Sequence, residues 1–163
     1  MLIGNLIRTV MFLFIVITAQ TVKASELNEL DLKIVDVVNR YSAATKAVKL
    51  CGRYIFNNKA QEKIFISNSN LSKIYASRIF LKQFPTSSQS ALTVKAEEMD
   101  RKLETAINRF YTEEGCSHRL IKKFIEWFDN LRQAPLAPYP KPDISDKEFE
   151  EMGMRWIILN DQL

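Results

Sequence analysis

Residues 30–51 read LDLKIVDVVNRYSAATKAVKLC, and core-compatible side chains recur in this stretch at alternating steps of four and three. This spacing places them all on one face of a helix. The members of the stripe are Leu30, Ile34, Val37, Tyr41, Ala44, Val48 and Cys51. The stretch therefore predicts an amphipathic helix that buries this face and ends at a cysteine.

The second cysteine, Cys116, begins another amphipathic stretch, and a glycine stands beside each cysteine. Gly52 and Gly115 are expected to end helices, because glycine adopts the left-handed conformation of a helix C-terminus without strain. We predict a disulfide between Cys51 and Cys116; the alternative is two buried free thiols. In the chain-entropy description, closing a loop of about 65 residues stabilises the fold by roughly 4 kcal/mol.

The first 24 residues have the pattern of a secretory signal peptide. Arg8 supplies the positive charge, residues 10–17 are an uninterrupted apolar run, and residues 22–24 (VKA) fit a cleavage site. An uncleaved anchor is the alternative, although the run is shorter than the roughly 20 residues that span a bilayer. We expect export, to the periplasm in a Gram-negative host and otherwise out of the cell, where disulfides persist.

The chain has 163 residues and a formal net charge of +4 at pH 7. The leader contains Arg8 and Lys23 and no acidic residue, so the remaining 139 residues carry a formal charge of +2. A chain of this length fits one domain with a substantial core. Its small charge does not favour nucleic acid as a partner, and no second stretch predicts a transmembrane span.

Further helices are predicted on both sides of a loop at residues 84–90. The second clear stripe is Leu92, Ala96, Met99, Leu103, Ala106 and Phe110, with Ser88 or Ser90 as its cap and Glu98 paired with Lys102 on its outer face. Upstream, residues 67–70 (SNSN) are expected to form a turn that interrupts the apolar pattern. Asn70 would then cap a helix that begins at Leu71. A β-hairpin is the alternative for residues 55–66.

The last third of the chain is expected to contain two helices joined by an extended strap. Ser117 would start the first, with Ile121, Phe124, Trp127 or Phe128, and Leu131 facing inward. Four prolines then exclude a helix or a central strand and predict an extended course close to polyproline II. Ser145 and Glu148 fit a capping box before a helix that buries Phe149, Met152 and Trp156.

These elements predict an all-α fold: a compact bundle of four to five helices after a signal peptide, with one disulfide. The expected divisions are a signal peptide (1–24), a helical bundle (25–133), a proline-rich extended segment (134–144) and a C-terminal helix that packs on the bundle (145–163). The proline-rich segment is expected to strap across the bundle; a docking arm that uses Leu136 and Tyr139 is the alternative.

The residues give little support for catalysis. His118, the only histidine, lies beside Cys116, but a bridged cysteine has no thiolate, and we expect His118 to be exposed early in a helix. The acidic doublets (97–98, 113–114 and 150–151) are adjacent in sequence, so their side chains diverge on a helix. One histidine and two distant cysteines are a poor zinc site. We expect no enzyme, cofactor or metal.

Basic residues alternate with aromatic residues near both cysteines. The candidate basic patch comprises Lys49, Arg53, Lys59, Arg119, Lys122 and Lys123. A disulfide would bring its two halves together, and the patch would suit an anionic surface or another envelope protein. The alternative is the ordinary solvated side of amphipathic helices.

The leading function is a non-enzymatic exported binding protein of undetermined oligomeric state. The second is a carrier of a small apolar ligand in a pocket lined by Phe56, Phe65, Phe110 and Phe124.

Overall fold

The computed structural model of the chain describes residues 28–85, 88–141 and 144–161. Within them lie α1 (Glu29–Leu50), α2 (Lys59–Gln83), α3 (Gln89–Glu114), a 3₁₀ turn (Gly115–Ser117), α4 (Arg119–Leu131) and α5 (Asp146–Asp161). The described residues contain no strand, which confirms the all-α prediction. None of their helices combines the length and apolarity needed to cross a membrane. The predicted signal peptide lies outside these residues.

Helix α1 is the centre of the bundle, because it packs against each of the four other helices. The predicted stripe is confirmed: its five middle members, from Ile34 to Val48, are buried, and Leu30 and Cys51 are partly buried at the two ends. The helix begins with a capping box in which Asn28 Oδ1 accepts from the Asp31 amide at 2.8 Å. Asp31 also binds Lys82 Nζ at 3.0 Å, so α1 begins where α2 ends and the two helices run antiparallel.

Helix α2 is continuous through residues 67–70, so the predicted interruption and the Asn70 cap are wrong. Asn68 is fully buried, and its side-chain amide bonds to the proline-rich strap instead of competing for the backbone of its own helix. The hairpin alternative is also wrong. Residues 51–58 connect α1 and α2, residues 59–66 are helical, and Asn58 caps α2 by accepting from the Gln61 amide at 2.9 Å.

Helix α3 is only half packed. Ser88 caps it, as predicted, and Lys102 Nζ lies 2.7 Å from Glu98 Oε1. Along the predicted stripe, Ala96 and Met99 are exposed and Leu103 is half-buried, so the expectation that the whole stripe enters the core is wrong for the first half. The helix joins the bundle through its second half, where Ile107 is buried, and through Lys46, which binds Asp100 at 2.8 Å.

Helix α4 runs back along α1 and contributes four buried side chains, Ile121, Ile125, Phe128 and Leu131. Phe124 was predicted to face inward, but it is half-buried and packs on Trp127, with ring centroids 5.2 Å apart. The helix begins at Arg119, one turn of 3₁₀ structure later than the predicted start at Ser117. Phe124 and Trp127 are therefore partly buried at the margin of the core, while Ile121, Ile125, Phe128 and Leu131 form the buried face of the helix.

Helix α5 returns to the core after the strap, and its predicted capping box is confirmed: the Ser145 amide donates to Glu148 Oε2 at 2.9 Å. Trp156 is buried and stacks on Tyr75, with ring centroids 4.9 Å apart. Gly153 makes this close approach possible, since a Cβ atom there would lie 3.1 Å from Ile34 Cδ1. The C-terminal helix therefore completes the core between α1 and α2.

Candidate functional site

The disulfide predicted from the sequence is present between Cys51 and Cys116, whose Cα atoms are 5.8 Å apart. Gly52 (φ 64°) and Gly115 (φ 62°) adopt the left-handed conformation that ends α1 and α3. The bond places the C-terminus of α1 beside the turn that leads into α4. Cys116 consequently has no free thiol, and the nucleophile considered beside His118 does not exist in the oxidised protein.

His118 is the N-cap of α4, and the expectation of an exposed residue inside the helix is wrong. Its side chain is only 16% exposed, and its ring stacks on Phe110 with centroids 4.9 Å apart. Nδ1 accepts a hydrogen bond from the Leu120 amide at 3.2 Å, while Nε2 faces Glu113 Oε2 at 3.5 Å. The Nδ1 cap and the ring stack on Phe110 thus close the junction between α3 and α4.

Three of the predicted basic residues flank the disulfide directly. Lys49 and Arg53 lie two residues on either side of Cys51, and Arg119 is the first residue of α4. Lys122 and Lys123 follow in the next turn of that helix. All five side chains are exposed. We call these five residues the basic pole.

Lys59 lies elsewhere. It is the first residue of α2, whose first turn shares a cleft with Arg132 and Gln133 at the C-terminus of α4. Because α4 has 13 residues and a helix rises 1.5 Å per residue, its two ends are about 20 Å apart. Lys59 is therefore near the opposite end of α4 from Arg119.

The cations of the basic pole lack the ion pairs found elsewhere in the bundle. Within the described residues, none of the five lies within 4.0 Å of a carboxylate oxygen. By contrast, Lys46, Lys82 and Arg78 each bind an acidic side chain from another helix or its cap. The nearby carboxylate of Glu113 is engaged by Arg109 at 3.1 Å and faces His118. The pole therefore presents five cations that no direct ion pair neutralises, although Glu114 and Glu126 are exposed in the same part of the sequence.

Aromatic rings lie beneath two of these cations. Lys49 Nζ lies 5.2 Å from the centroid of the Tyr54 ring, and Lys123 Nζ lies 5.8 Å from that of Trp127. The rings support the aliphatic stems and interact with the ammonium groups through their π faces. The alternation of basic and aromatic residues in the sequence thus corresponds to cations held on aromatic platforms at the surface.

The four phenylalanines considered for a carrier pocket are divided among different contacts. Phe56 and Phe65 pack together at 5.4 Å in a cluster with Tyr54 and Phe128, whereas Phe110 stacks on His118. Phe124 packs on Trp127 at the helix edge. In the described part of the chain the four rings therefore belong to separate sets of ring contacts.

A cleft that the sequence did not reveal lies between the start of α2 and the start of the strap. Its volume is about 610 Å³, it is open to solvent, and side-chain amides dominate its polar lining. The lining includes Asn57, Asn58, Gln61, Arg132 and Gln133. Ala134 and Pro135 form its strap side, and the Pro135 carbonyl accepts a hydrogen bond from Asn68 of α2, a long-range contact that the sequence pattern does not predict.

The carboxylates are mostly at the surface. Glu98 lies between two lysines, and the hydrogen bond from Lys102, followed by that from Lys95, lowers the pKa of its carboxyl to about 2. Within the described ranges, no group of three or more histidine, cysteine, aspartate or glutamate side chains is placed to hold a metal ion. Comparisons of the chain with protein-family models, curated proteins and solved structures find no match.

Proposed function

We propose that this chain is an exported, non-enzymatic helical binding protein whose basic pole attaches it to an anionic surface. The observation that carries the proposal is the set of exposed cations without carboxylate partners, grouped by the disulfide. The disulfide itself supports export, since such bonds persist in oxidising compartments. An anionic lipid surface is the simplest partner, because it requires positive charge but no shaped pocket.

The energetics favour a surface contact of moderate strength. A lysine or arginine near an anionic membrane contributes about 1 kcal/mol. The pole offers Lys49, Arg53, Arg119, Lys122 and Lys123, and none of them has to break an intramolecular ion pair within the described residues before it binds. The aromatic platforms beneath Lys49 and Lys123 hold these two cations at the surface, so less side-chain freedom is lost on binding.

The experiment is a sedimentation assay with vesicles made of equal parts of phosphatidylglycerol and phosphatidylcholine. The oxidised protein from Ser25 onward should bind these vesicles and should not bind pure phosphatidylcholine. Changing Lys122→Glu and Lys123→Glu together should weaken binding by about tenfold or more, because two attractive charges become repulsive. Added salt should weaken the wild-type interaction in the same direction.

The matched control is Lys73→Glu with Lys147→Glu. Both lysines are exposed, neither has a carboxylate partner in the described structure, and both lie away from the disulfide, in α2 and α5. The control carries the same total charge as the test variant and should bind at least several times more tightly. Equal binding by the two variants, or no binding by the wild type, would refute the proposal.

A further inference from the structure

The strap that precedes α5 is buried with a period of three. Ala134 and Ala137 are buried and Pro140 is half-buried, whereas the two residues after each alanine are exposed. A polyproline II helix has three residues per turn, so one of its three ridges faces the bundle and the other two face outward. The first outward ridge carries Pro135 and Pro138, and the second carries Leu136 and Tyr139.

Hydrogen bonds hold this segment in place on α2. The buried Asn68 side chain donates to the Pro135 carbonyl at 2.9 Å and accepts from the Ala137 amide at 3.1 Å. One turn further along, the Tyr139 hydroxyl donates to the Ser67 carbonyl at 2.7 Å. The folded bundle thus fixes the strap in an extended form, and a partner would not have to order it.

We propose that the outward ridges of the strap are a docking site for a protein with an aromatic-lined groove that accepts polyproline II segments. Grooves of this kind receive the two ridges of a PxxP turn, and residues 135–138 (PLAP) supply that spacing. Leu136 is 57% exposed, and Tyr139, although its hydroxyl bonds to the Ser67 carbonyl, is still 46% exposed.

Charge adds an orientation to the site. Lys141 is exposed at the C-terminal end of the strap, and within the described residues its ammonium group has no carboxylate oxygen within 4.0 Å. A groove with an acidic side chain near one end would pair with Lys141 and fix the direction in which the strap lies. The partner is therefore a protein whose groove combines aromatic rings with an acidic rim. This site is independent of the basic pole.

The test uses the full oxidised protein and a panel of purified polyproline-binding domains of the SH3, WW and EVH1 types. At least one domain should bind the wild type, and Leu136→Ser with Pro138→Ala should weaken that binding by about tenfold or more, since the leucine and the second proline of the turn are lost. The matched control is Ile74→Ser, which removes a side chain of α2 that is 39% exposed and should leave binding unchanged.

A second comparison separates the fixed strap from a mere sequence motif. Asn68→Ala removes two of the hydrogen bonds that fix the strap but keeps all of its residues, and should weaken binding because the partner must then order a looser segment. A free peptide of residues 134–141 should likewise bind more weakly than the protein. The proposal is overturned if no domain of the panel binds, if the ridge variant binds like the control, or if the free peptide binds as tightly as the folded chain.

Discussion

Asn68 connects two elements that are remote in sequence. Both polar atoms of its side-chain amide are used, one on the Pro135 carbonyl and one on the Ala137 amide, at a position with no solvent access. A buried polar group left without its partner costs about 1–3 kcal/mol. Asn68 therefore provides two of the hydrogen bonds that hold the strap on α2, beside the one from the Tyr139 hydroxyl to the Ser67 carbonyl.

Replacing Asn68→Ala should destabilise the protein by about 2–4 kcal/mol, since it leaves two backbone groups of the strap unsatisfied. Asn68→Asp should recover none of this loss, because it would bury an unpaired carboxylate against the Pro135 carbonyl oxygen, to which it cannot donate. Urea unfolding followed by circular dichroism measures both. Asn70→Ala, two residues further along the same helix and exposed, should change stability by less than about 0.5 kcal/mol. Similar losses at both positions would contradict this role.

The sequence could not identify this residue. In the run SNSN, the four residues have similar local preferences for turns and caps, and only the long-range contact distinguishes Asn68 from Asn70. Residues whose roles are local were predictable: Ser88, Ser145 and Gly52 have the cap or left-handed conformation that their types favour. Caps and turns depend on residues a few positions away and can be predicted from the sequence, whereas the role of Asn68 depends on residues 67 and 69 positions away.

The buried phenols of Tyr41 and Tyr75 make the stability of the fold depend on pH in the alkaline range. Burial raises the pKa of Tyr75 to about 12 and raises the pKa of Tyr41 as well. In the unfolded chain both phenols ionise near the ordinary value of 10.0. Because the unfolded state loses these protons first, stability is complete below that pH and falls as the pH rises above it, by up to about 1.4 kcal/mol per pH unit for each tyrosine.

The Tyr75→Phe variant isolates one of these groups. Its stability should fall less steeply than that of the wild type between pH 10 and pH 12, as measured by urea midpoints across this range. At neutral pH the change should cost little, because the Tyr75 hydroxyl is buried and has no hydrogen-bond partner among the described residues. A variant whose stability falls as steeply as that of the wild type would show that Tyr75 does not resist ionisation in the folded protein.

Helix α5 depends on close packing rather than on its own apolarity. Gly153 lies against Ile34 and Tyr75, where a Cβ atom would be 3.1 Å from Ile34 Cδ1 and 3.4 Å from Tyr75 Cε1. Glycine inside a helix costs about 1 kcal/mol relative to alanine, so its presence here reflects the space available and not helix propensity. The neighbouring side chain at position 34 should therefore decide the effect of any added methyl group.

We expect Gly153→Ala to be neutral or destabilising in the wild type and stabilising by about 0.5–1 kcal/mol in an Ile34→Val background. The valine lacks the Cδ1 atom that the new methyl group would meet, so only the gain in helix propensity remains. A double-mutant cycle measured by urea unfolding gives the coupling between the two sites. A coupling energy near zero would show that a methyl group at position 153 does not meet Ile34. Met154→Ala, at an exposed position of the same helix, is the control and should show no coupling to Ile34→Val.

Helix α3 shows that the apolar pattern of a helix does not predict how much of the helix is buried. Its stripe of apolar residues has the same four-and-three spacing as that of α1, yet α1 is covered on several sides and the first half of α3 is not. Periodicity shows which face of a helix is apolar, but it does not show whether the bundle extends far enough to cover that face. The arrangement of the neighbouring helices decides this, and it depends on contacts between distant residues.

The Cys51–Cys116 disulfide, which was predicted from the sequence, links the two ends of the segment that contains α2 and α3. The disulfide joins residues 65 positions apart, so it encloses α2 and α3 entirely and holds the start of α4 against the end of α1. A domain of this kind is typically stable by about 5–15 kcal/mol, and a loop of this size contributes about 4 kcal/mol of that in the chain-entropy description. The bond also groups the cations of the basic pole.

Changing Cys51→Ala and Cys116→Ala together should therefore lower the stability by about 4 kcal/mol, measured by urea unfolding, because the unfolded chain regains the freedom that the bridge removes. Both cysteines are only partly buried, so the packing lost with their sulfur atoms is small, and reducing the wild type should give a similar loss. Without the bridge, Arg53 and Arg119 are no longer held together, and vesicle binding should weaken even under conditions in which the variant remains folded. If the urea midpoint of the variant equals that of the wild type, the bridge does not stabilise the fold. If a folded variant binds vesicles as the wild type does, the basic pole does not depend on the bridge.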